Sequence, residues 1–226
     1  TATVAGLANG TSYVFQVAAL NVVGLGAFSA ESLPVTPMTT ADVPTGLAGT
    51  FGNSQVSLNW NAPLSNGGSA ISTYAIEYSS NSGTSWTSFV HAASTATAAT
   101  VTGLTNGTSY LFRVAAVNGA GTGVAVVSAA IIPQTVASAP TALVGAFGNT
   151  QVNLSWTAPA VNGGSSVSDY LIQFRLNTSD STWNSFVHSA SVQTSISVTG
   201  LVNGMSYLFQ VAAVNGAGVG AFVQSA

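Results

Sequence analysis

Apolar and polar residues alternate with a period of two in several short stretches of this chain. Val56, Leu58 and Trp60 alternate with polar residues, and the runs 74–78 and 110–116 repeat the pattern. Such alternation places one face of a β-strand in a core and the other toward solvent. Clusters of Asn, Gly, Ser and Thr separate the runs, as turns between strands require. Because no stretch shows a sustained helical period with caps, the pattern predicts an all-β, antiparallel fold.

The whole pattern recurs at the spacing of a domain. The stretch 101–121, VTGLTNGTSYLFRVAAVNGAG, has near copies at 4–24 and 198–218. Tyr13, Tyr110 and Tyr207 within these copies are 97 positions apart (110 − 13 and 207 − 110). A repeat of this length is too long for a solenoid unit and matches a small domain. The sequence therefore predicts tandem domains.

The motifs of one repeat resemble a fibronectin type III domain. Pro44 is followed by the alternating strand 56–60, then Pro63, the strand 74–78 and the stretch 101–121. The run from 104 to 110 resembles the tyrosine corner of that family, in which a tyrosine hydroxyl bonds to upstream backbone. The resemblance implies tandem immunoglobulin-like antiparallel β-sandwiches of seven strands each. The core residues that it implies are Trp60, Tyr110, Trp156, Tyr207 and Tyr13.

The resemblance also places the strands and the domain boundaries. In the middle repeat it implies strand A after Pro44, B at 55–60, C at 73–79, C′ near Trp86–Phe89, E near 99–102, F at 109–117 and G from about Val124. Residues 1–38 are expected to hold only strands E to G, and 42–136 a complete domain. Residues 138–226 are expected to hold a domain whose last strand is cut short, so the chain is expected to be a window on a longer array.

The composition excludes several kinds of partner. Hydrophobic residues make up 47% of the 226 residues and charged residues only 3%, with a net charge of −3 and no Lys. Phosphate recognition requires clustered basic residues, and Arg113 and Arg175 are isolated. Nucleic acid and anionic membranes are therefore not expected partners. The uncharged run 114–133 approaches the length of a spanning helix, but Asn118 and several glycines interrupt it, so two strands around a turn are predicted.

The candidate chemical groups do not form a site. His91 and His188 occupy equivalent places, one in each repeat, without a second ligand at metal spacing. The acidic residues do not repeat between domains; they are Glu31, Asp42, Glu77, Asp169 and Asp180. No Cys is present, and the glycine-rich runs 119–123 and 216–220 lack the helix that a phosphate-binding loop requires. We therefore expect no catalytic, cofactor-binding or metal-binding residues, and no cofactor.

Two polar features are expected to be structural. Asn-Gly at 9–10, 106–107 and 203–204 is interpreted as turn chemistry, although the first two also fit the glycosylation pattern. Glu77 and Arg113 fall on outward positions of adjacent strands, and both are replaced by Gln in the next repeat, at 173 and 210. Their joint replacement predicts a cross-strand surface pair, Glu77 with Arg113.

Several functions remain open at this stage. The first is a non-catalytic spacer or stalk of tandem repeats in an extracellular, cell-surface or virion fibre protein, with bacterial or phage proteins as the nearest type. The second is an adhesive or self-assembly module for a protein or glycan. It would use an apolar patch on strand F (Leu111, Ala115, Val117) and strand G (124–129). The third is a set of accessory domains of a secreted carbohydrate-active enzyme. The expected partners are proteins: neighbouring repeats, further copies, or a host or surface component.

Overall fold

The computed structural model describes residues 1–179 and 181–225, and all regular structure in these ranges is β-strand. By its internal contacts the chain divides into two compact units. The first comprises Thr1–Gly49, Ser57–Thr100 and Tyr110–Ala130, and the second comprises Thr50–Val56, Val101–Ser109 and Ile131–Ala226. The strands, numbered in chain order, also define two sandwiches. Short segments of the first sandwich, 50–56 and 101–109, group with the second unit.

The N-terminal 38 residues form a hairpin without a core. Strands β1 (Ala18–Asn21) and β2 (Gly24–Phe28) pair antiparallel, with a register shift between Ala18 and Leu20. An isolated bridge joins Tyr13 to Val35. None of these residues is fully buried, since no second sheet covers the hairpin. Tyr13, which the family resemblance implies as a core residue, is half-buried.

The first sandwich follows this hairpin. Its strands are β3 (Thr45–Gly52), β4 (Gln55–Asn61), β5 (Thr73–Ser79), β6 (Thr87–Ser88), β7 (Ala98–Thr102), β8 (Leu111–Asn118), β9 (Gly121–Thr122) and β10 (Val126–Val127). One sheet has the order β3-β4-β7, and the other has the order β10-β8-β5-β6, with β9 also paired to β8. Alternate residues of β4 and β8 are buried, as the period of two requires.

The second sandwich repeats the first. Its strands are β11 (Thr141–Gly148), β12 (Gln151–Thr157), β13 (Asp169–Leu176), β14 (Asn184–Ser185), β15 (Ser195–Thr199), β16 (Tyr207–Asn215), β17 (Gly218–Val219) and β18 (Val223–Gln224). One sheet has the order β11-β12-β15, and the other joins β14, β13, β16 and β17, with β18 also on β16. One core cluster includes Leu154, Trp156, Ile172, Phe209 and Val211.

The predicted fold class is confirmed, and the differences lie at the edges of the sheets. Strand G, predicted to begin near Val124, is limited to two residues in β10 and in its counterpart β18, while the short strands β9 and β17 pair with β8 and β16 ahead of it. The apolar patch predicted on strands F and G is interrupted. Ala115 is buried because this small side chain lies on the central strand β8, whereas Val124 and Val127 are exposed.

Candidate functional site

The two histidine side chains, which are the groups with potential chemistry, contact backbone carbonyl oxygens. Both ring nitrogens of His91 contact carbonyl oxygens, those of Ala92 at 2.8 Å and Tyr74 at 3.0 Å. His188 makes the equivalent contacts in the second sandwich. Within residues 1–179 and 181–225, no group of three His, Asp or Glu residues is placed to hold a metal ion. Asp180 lies outside the described residues. The two histidines therefore tie the segments after β6 and β14 to strands β5 and β13.

The implied core residues occupy equivalent places in the two sandwiches. Trp60 and Trp156 are 5% and 7% exposed. Their rings pack edgewise on Tyr74 and Tyr170, with centroids 5.1 and 5.0 Å apart. This is the preferred geometry for aromatic pairs, so each tryptophan joins the two sheets of its sandwich through a specific contact as well as through its area.

The tyrosines hold the turns that precede their strands. The N–H of Val202 donates to the hydroxyl of Tyr207 at 3.2 Å, and the N–H of Ala8 donates to that of Tyr13 at 3.0 Å. These are tyrosine-corner bonds, each to backbone five residues upstream. Tyr110 is buried and packs edgewise against Tyr78. Tyr207, by contrast, is half-buried.

The structure brings Glu77 and Arg113 together. They are opposite each other in the β5–β8 ladder, and Arg113 Nε lies 2.6 Å from Glu77 Oε2. The guanidinium also lies over the ring of Trp86, 4.5 Å from its centroid. In the second sandwich the Gln210 side-chain amide donates to Gln173 Oε1 at 2.6 Å, in the same register. One cross-strand position thus carries an ion pair in one sandwich and an amide pair in the other.

Replacing both charged residues together, E77Q with R113Q, should change the free energy of unfolding by less than about 1 kcal/mol, because the pair is partly exposed and the second sandwich already carries the amide version. A double-mutant cycle in urea should give a coupling of roughly 0.2–1 kcal/mol that falls as salt is added. The natural Gln173–Gln210 pair is the matched control, since its coupling should not respond to salt. A salt-independent coupling for Glu77 and Arg113 would contradict this interpretation.

A second set of polar contacts lies in the first unit, where the hairpin segment meets the first sandwich. We define the corner turns as residues 8–11, 105–108 and 202–205, and the glycine loops as 66–68 and 162–164. Gly10 N–H donates to Pro37 O at 2.9 Å, and Thr39 N–H donates to Gly67 O at 2.9 Å. The Asn118 side-chain amide donates to Thr39 O at 2.8 Å and to Asn66 O at 2.7 Å. The linker, residues 37–39, is thus hydrogen-bonded to the corner turn on one side and to the glycine loop on the other.

The second unit contains the same set of contacts. Gly107 N–H donates to Pro133 O at 2.9 Å, and Thr135 N–H donates to Gly163 O at 2.8 Å. Asn215 donates to Thr135 O at 2.8 Å and to Asn162 O at 2.7 Å. Each bond agrees with its counterpart in the first unit to within 0.1 Å. We call each set a junction, formed by a corner turn, a linker and a glycine loop.

The glycines of the loops are required by both space and backbone conformation. A Cβ on Gly68 would lie 2.3 Å from Gly10 N, and one on Gly164 would lie 2.4 Å from Gly107 N. The loop backbone also has positive φ, +84° at Gly68 and +89° at Gly164, a region that other residues rarely adopt. The backbones of corner turn and glycine loop therefore touch directly, with no room for a side chain.

The junctions were not predicted from the sequence. Local turn geometry is a sufficient reason for Asn-Gly in a corner turn and for the glycines of a glycine loop, each considered alone. A usable signal was the constant relation between Pro-x-Thr at 37–39 and 133–135 and Asn-Gly-Gly at 66–68 and 162–164. When a linker and a loop recur in two repeats with the same residues and the same spacing along the sequence, contact between that linker and that loop is indicated.

Successive antiparallel sandwiches, each with a buried tryptophan on its second strand, together with the tyrosine-corner bonds of Tyr13 and Tyr207, define a tandem immunoglobulin-like protein. The chain belongs to the family of the fibronectin type III domain, whose model matches residues 42–131 and again residues 138–225. Domains of this family are typically non-catalytic and generally mediate protein–protein interactions. In tandem they suggest a structural or linker role. No helix among the described residues is long and apolar enough to cross a membrane.

Relatives of this chain are diverse. Myomesin-2 from Homo sapiens is 31% identical over 227 residues, which are 95% of this chain and 15% of that protein. Chitinase A1 from Niallia circulans is 36% identical over 168 residues, which are 70% of this chain and 22% of that protein. A solved two-domain fibronectin type III segment of chicken tenascin has 22% identity and a TM-score of 0.42, covering 80% of this chain and 97% of that one. The chain spans less than a quarter of either full-length relative.

Proposed function

We propose that this chain is a non-catalytic structural spacer, in which tandem fibronectin type III domains are held in sequence by the two junctions. The observation that carries the proposal is the repetition of the junction bonds, from Gly10 and from Gly107, at nearly equal lengths. A flexible linker between independent domains would need no such bonds. A spacer benefits from them because they fix how each domain follows the preceding segment.

The proposal assigns three segments to this spacer. Residues 42–136 and 138–226 are the two successive domains. Residues 1–38 correspond to strands E to G of another such domain, since its corner turn makes the same junction bond as that of the first sandwich. The hairpin β1–β2 corresponds to the end of β8 and to β9. Under this assignment each junction consists of the same three parts, a corner turn, a linker and a glycine loop, connected by equivalent hydrogen bonds.

We further propose that the spacer is part of an extracellular, cell-surface or virion protein, of the bacterial surface, secreted or phage-appendage type. The chain has no Lys, and both Arg side chains are stacked on tryptophan rings, Arg113 on Trp86 and Arg175 on Trp183. Trypsin-like proteases therefore have few accessible cleavage sites, which suits a chain exposed outside cells. Its protein partners in this setting are neighbouring repeats.

A second candidate is supported by one comparison. The identity of 36% with Chitinase A1 favours accessory domains of a secreted carbohydrate-active enzyme. Retention of the chain on insoluble chitin would favour direct glycan binding, whereas free passage would favour spacing alone. The self-assembly alternative has less support, because burial of Ala115 interrupts the apolar patch that it requires.

The proposed function is tested by two measurements on the full chain: its association state in solution, and the rate of amide hydrogen exchange at the junctions. The full chain should sediment as a monomer over a wide range of concentrations, because a spacer needs no self-contact. In the same sample the amide hydrogens of Gly10 and Gly107 should exchange slowly, since both are bonded in the junctions. Concentration-dependent association would instead favour an assembly module. Rapid exchange at both glycines would contradict junctions that hold the domains in place.

A further inference from the structure

Asn-Gly pairs are places where an asparagine side chain reacts readily with its own backbone, and this chain has seven of them. They lie at 9–10, 66–67, 106–107, 118–119, 162–163, 203–204 and 215–216. The glycine nitrogen can attack the asparagine Cγ, because glycine has no side chain to block the approach. Three atoms control the reaction: the glycine nitrogen, the asparagine Oδ1 and the asparagine Nδ2, which must leave. The hydrogen bonds of these atoms differ among the seven pairs.

At five of the seven pairs the glycine N–H donates to an oxygen and is held by it. In the corner turns 8–11 and 105–108 the acceptor is the linker proline carbonyl, at 2.9 Å in both. In the other three pairs the acceptor is a serine hydroxyl at 3.1 Å: Gly67 donates to Ser65, Gly119 to Ser69 and Gly216 to Ser165. Each bond must break before the nitrogen can turn toward its own side chain. Within the part of the chain that the structure describes, Gly163 N–H and Gly204 N–H make no such bond.

The pair at 203–204 is protected through its side chain. Asn203 Oδ1 accepts the N–H of Thr150 at 2.9 Å, and Asn203 Nδ2 donates to Asn149 Oδ1 at 2.8 Å. These bonds hold the side chain against the turn between β11 and β12, and they retain the nitrogen that would have to leave. Asn162 with Gly163 is therefore the pair in which neither the backbone nor the side chain is restrained in this way.

The side chain of Asn162 is arranged for this reaction. Asn162 Oδ1 accepts the N–H of Gly164 at 3.0 Å. An Asx turn of this kind folds the side chain over the intervening peptide and so brings Cγ toward the Gly163 nitrogen. The bond to Oδ1 also draws electron density from the Cγ carbonyl, which makes it easier to attack. Asn162 is exposed, and its Nδ2 has no hydrogen-bond partner among the described residues, so ammonia can leave and water can enter.

The glycine loop of the first sandwich, 66–68, provides a matched comparison. Its Asx turn has the same length, 3.0 Å, and its second residue has φ +70°, compared with +73° at Gly163. The second residue of each loop is buried, and its carbonyl accepts the N–H of a linker threonine. The two loops differ in the residue that precedes them. Ser65 accepts the Gly67 N–H, whereas Val161 has no side-chain acceptor to offer.

We propose that Asn162 is a site of spontaneous deamidation, and that Asn66 is protected from it. The Gly163 nitrogen gives its proton to solvent and forms a bond to Asn162 Cγ. The bond from Cγ to Nδ2 breaks, and Nδ2 leaves as ammonia. Water then opens the resulting five-membered imide at either carbonyl, which gives aspartate or isoaspartate and one new carboxylate. Water is the only other reactant.

The isoaspartate product does not fit the second junction. Its main chain runs through the former side-chain carbon, which adds one atom between residues 162 and 163. The loop has no room for an added atom, since even a Cβ on Gly163 would overlap Thr135 O. The loop must therefore move away from the linker, and the bond from Thr135 N–H to Gly163 O is lost. Deamidation thus opens the second junction and leaves the first one closed.

The experiment follows deamidation at each Asn-Gly pair of the full chain during incubation at neutral pH and physiological temperature. Mass spectrometry of chymotryptic peptides separates the pairs. We expect Asn162 to convert first and Asn66 to convert roughly two- to tenfold more slowly, because one hydrogen bond must break before Gly67 can react. Equal rates at Asn66 and Asn162, or faster conversion at Asn203, would overturn the proposal.

Two substitutions exchange the residues that precede the loops. Val161→Ser should slow conversion at Asn162 by the same factor, and Ser65→Ala should accelerate conversion at Asn66. Both positions are exposed, so neither change should disturb the core. If neither substitution moved the rate of its own loop, the serine hydroxyl would not be the protecting group and the proposal would fail.

The effect on the junction is measured on the isoaspartate form after chromatographic separation. The Thr135 amide hydrogen should exchange rapidly in this form and slowly in the unmodified chain. The N162Q chain, incubated in the same way, should keep Thr135 protected because it cannot form the five-membered ring. Slow exchange at Thr135 in the isoaspartate form would overturn the opening of the junction, whatever the rate of deamidation.

Discussion

Replacing Trp60 by alanine should destabilise the first sandwich by about 3–5 kcal/mol, a large part of the 5–15 kcal/mol that typically stabilises a domain. The indole is 5% exposed and packs edgewise on Tyr74, so its removal loses apolar burial and leaves a cavity between the sheets. Equilibrium denaturation in urea, followed by circular dichroism, should show an early transition for the first sandwich. The transition of the second, which keeps Trp156, should move little.

The matched control is Trp86→Ala in the same sandwich. Trp86 is only half-buried, and the Arg113 guanidinium lies over its ring, 4.5 Å from the centroid. An exposed cation–π contact contributes about 0.5–1 kcal/mol, so the loss should be several times smaller than for Trp60. Equal losses for the two substitutions would mean that Trp60 does not organise the core.

The strands could be predicted from the sequence because each depends mainly on its own alternation. Residues 56–60 fix which face of β4 is buried, and the observed strand, Gln55–Asn61, extends the predicted 55–60 by one residue. The contact of Glu77 with Arg113 could also be anticipated, since two adjacent strands in a known register place their outward residues opposite each other. The short extent of strand G was not predicted, because period-two alternation does not reveal where an edge strand leaves its neighbour.

The junctions could not be predicted in the same way, because they depend on what lies beside a residue and not on its own sequence. Phe51 and Phe147 both stand in the sequence Phe-Gly-Asn, yet their exposed fractions differ by more than twofold. Gly107 and Gly204 likewise share a turn conformation and differ only in having a neighbour. A local pattern predicts the conformation of such a turn. Whether the turn contacts a glycine loop depends on residues 57 positions away in the chain (164 − 107).

The substitution Gly164→Ala should open the junction of the second unit. The added Cβ would lie 2.4 Å from Gly107 N and 2.7 Å from the Asn106 carbonyl carbon, so the backbones of loop and turn must separate. Separation breaks the hydrogen bond from Gly107 N–H to Pro133 O. The Gly107 amide hydrogen should then exchange at the rate of an amide without a hydrogen-bond partner. NMR amide exchange on the full chain measures this directly, and backbone relaxation should show faster motion of linker residues 133–135.

Backbone strain alone does not produce this effect, and Gly200→Ala provides the comparison. Gly200 has φ +78°, so alanine there carries a left-handed strain of about 1–2 kcal/mol as it does at Gly164, but its Cβ would have nothing within 4 Å. The G200A chain should lose stability while the Gly107 amide stays protected. If Gly107 remained protected in the G164A chain too, direct contact between turn and loop would not be what holds the domains. The linker bonds of Thr135 and Asn215 would then have to hold the junction by themselves.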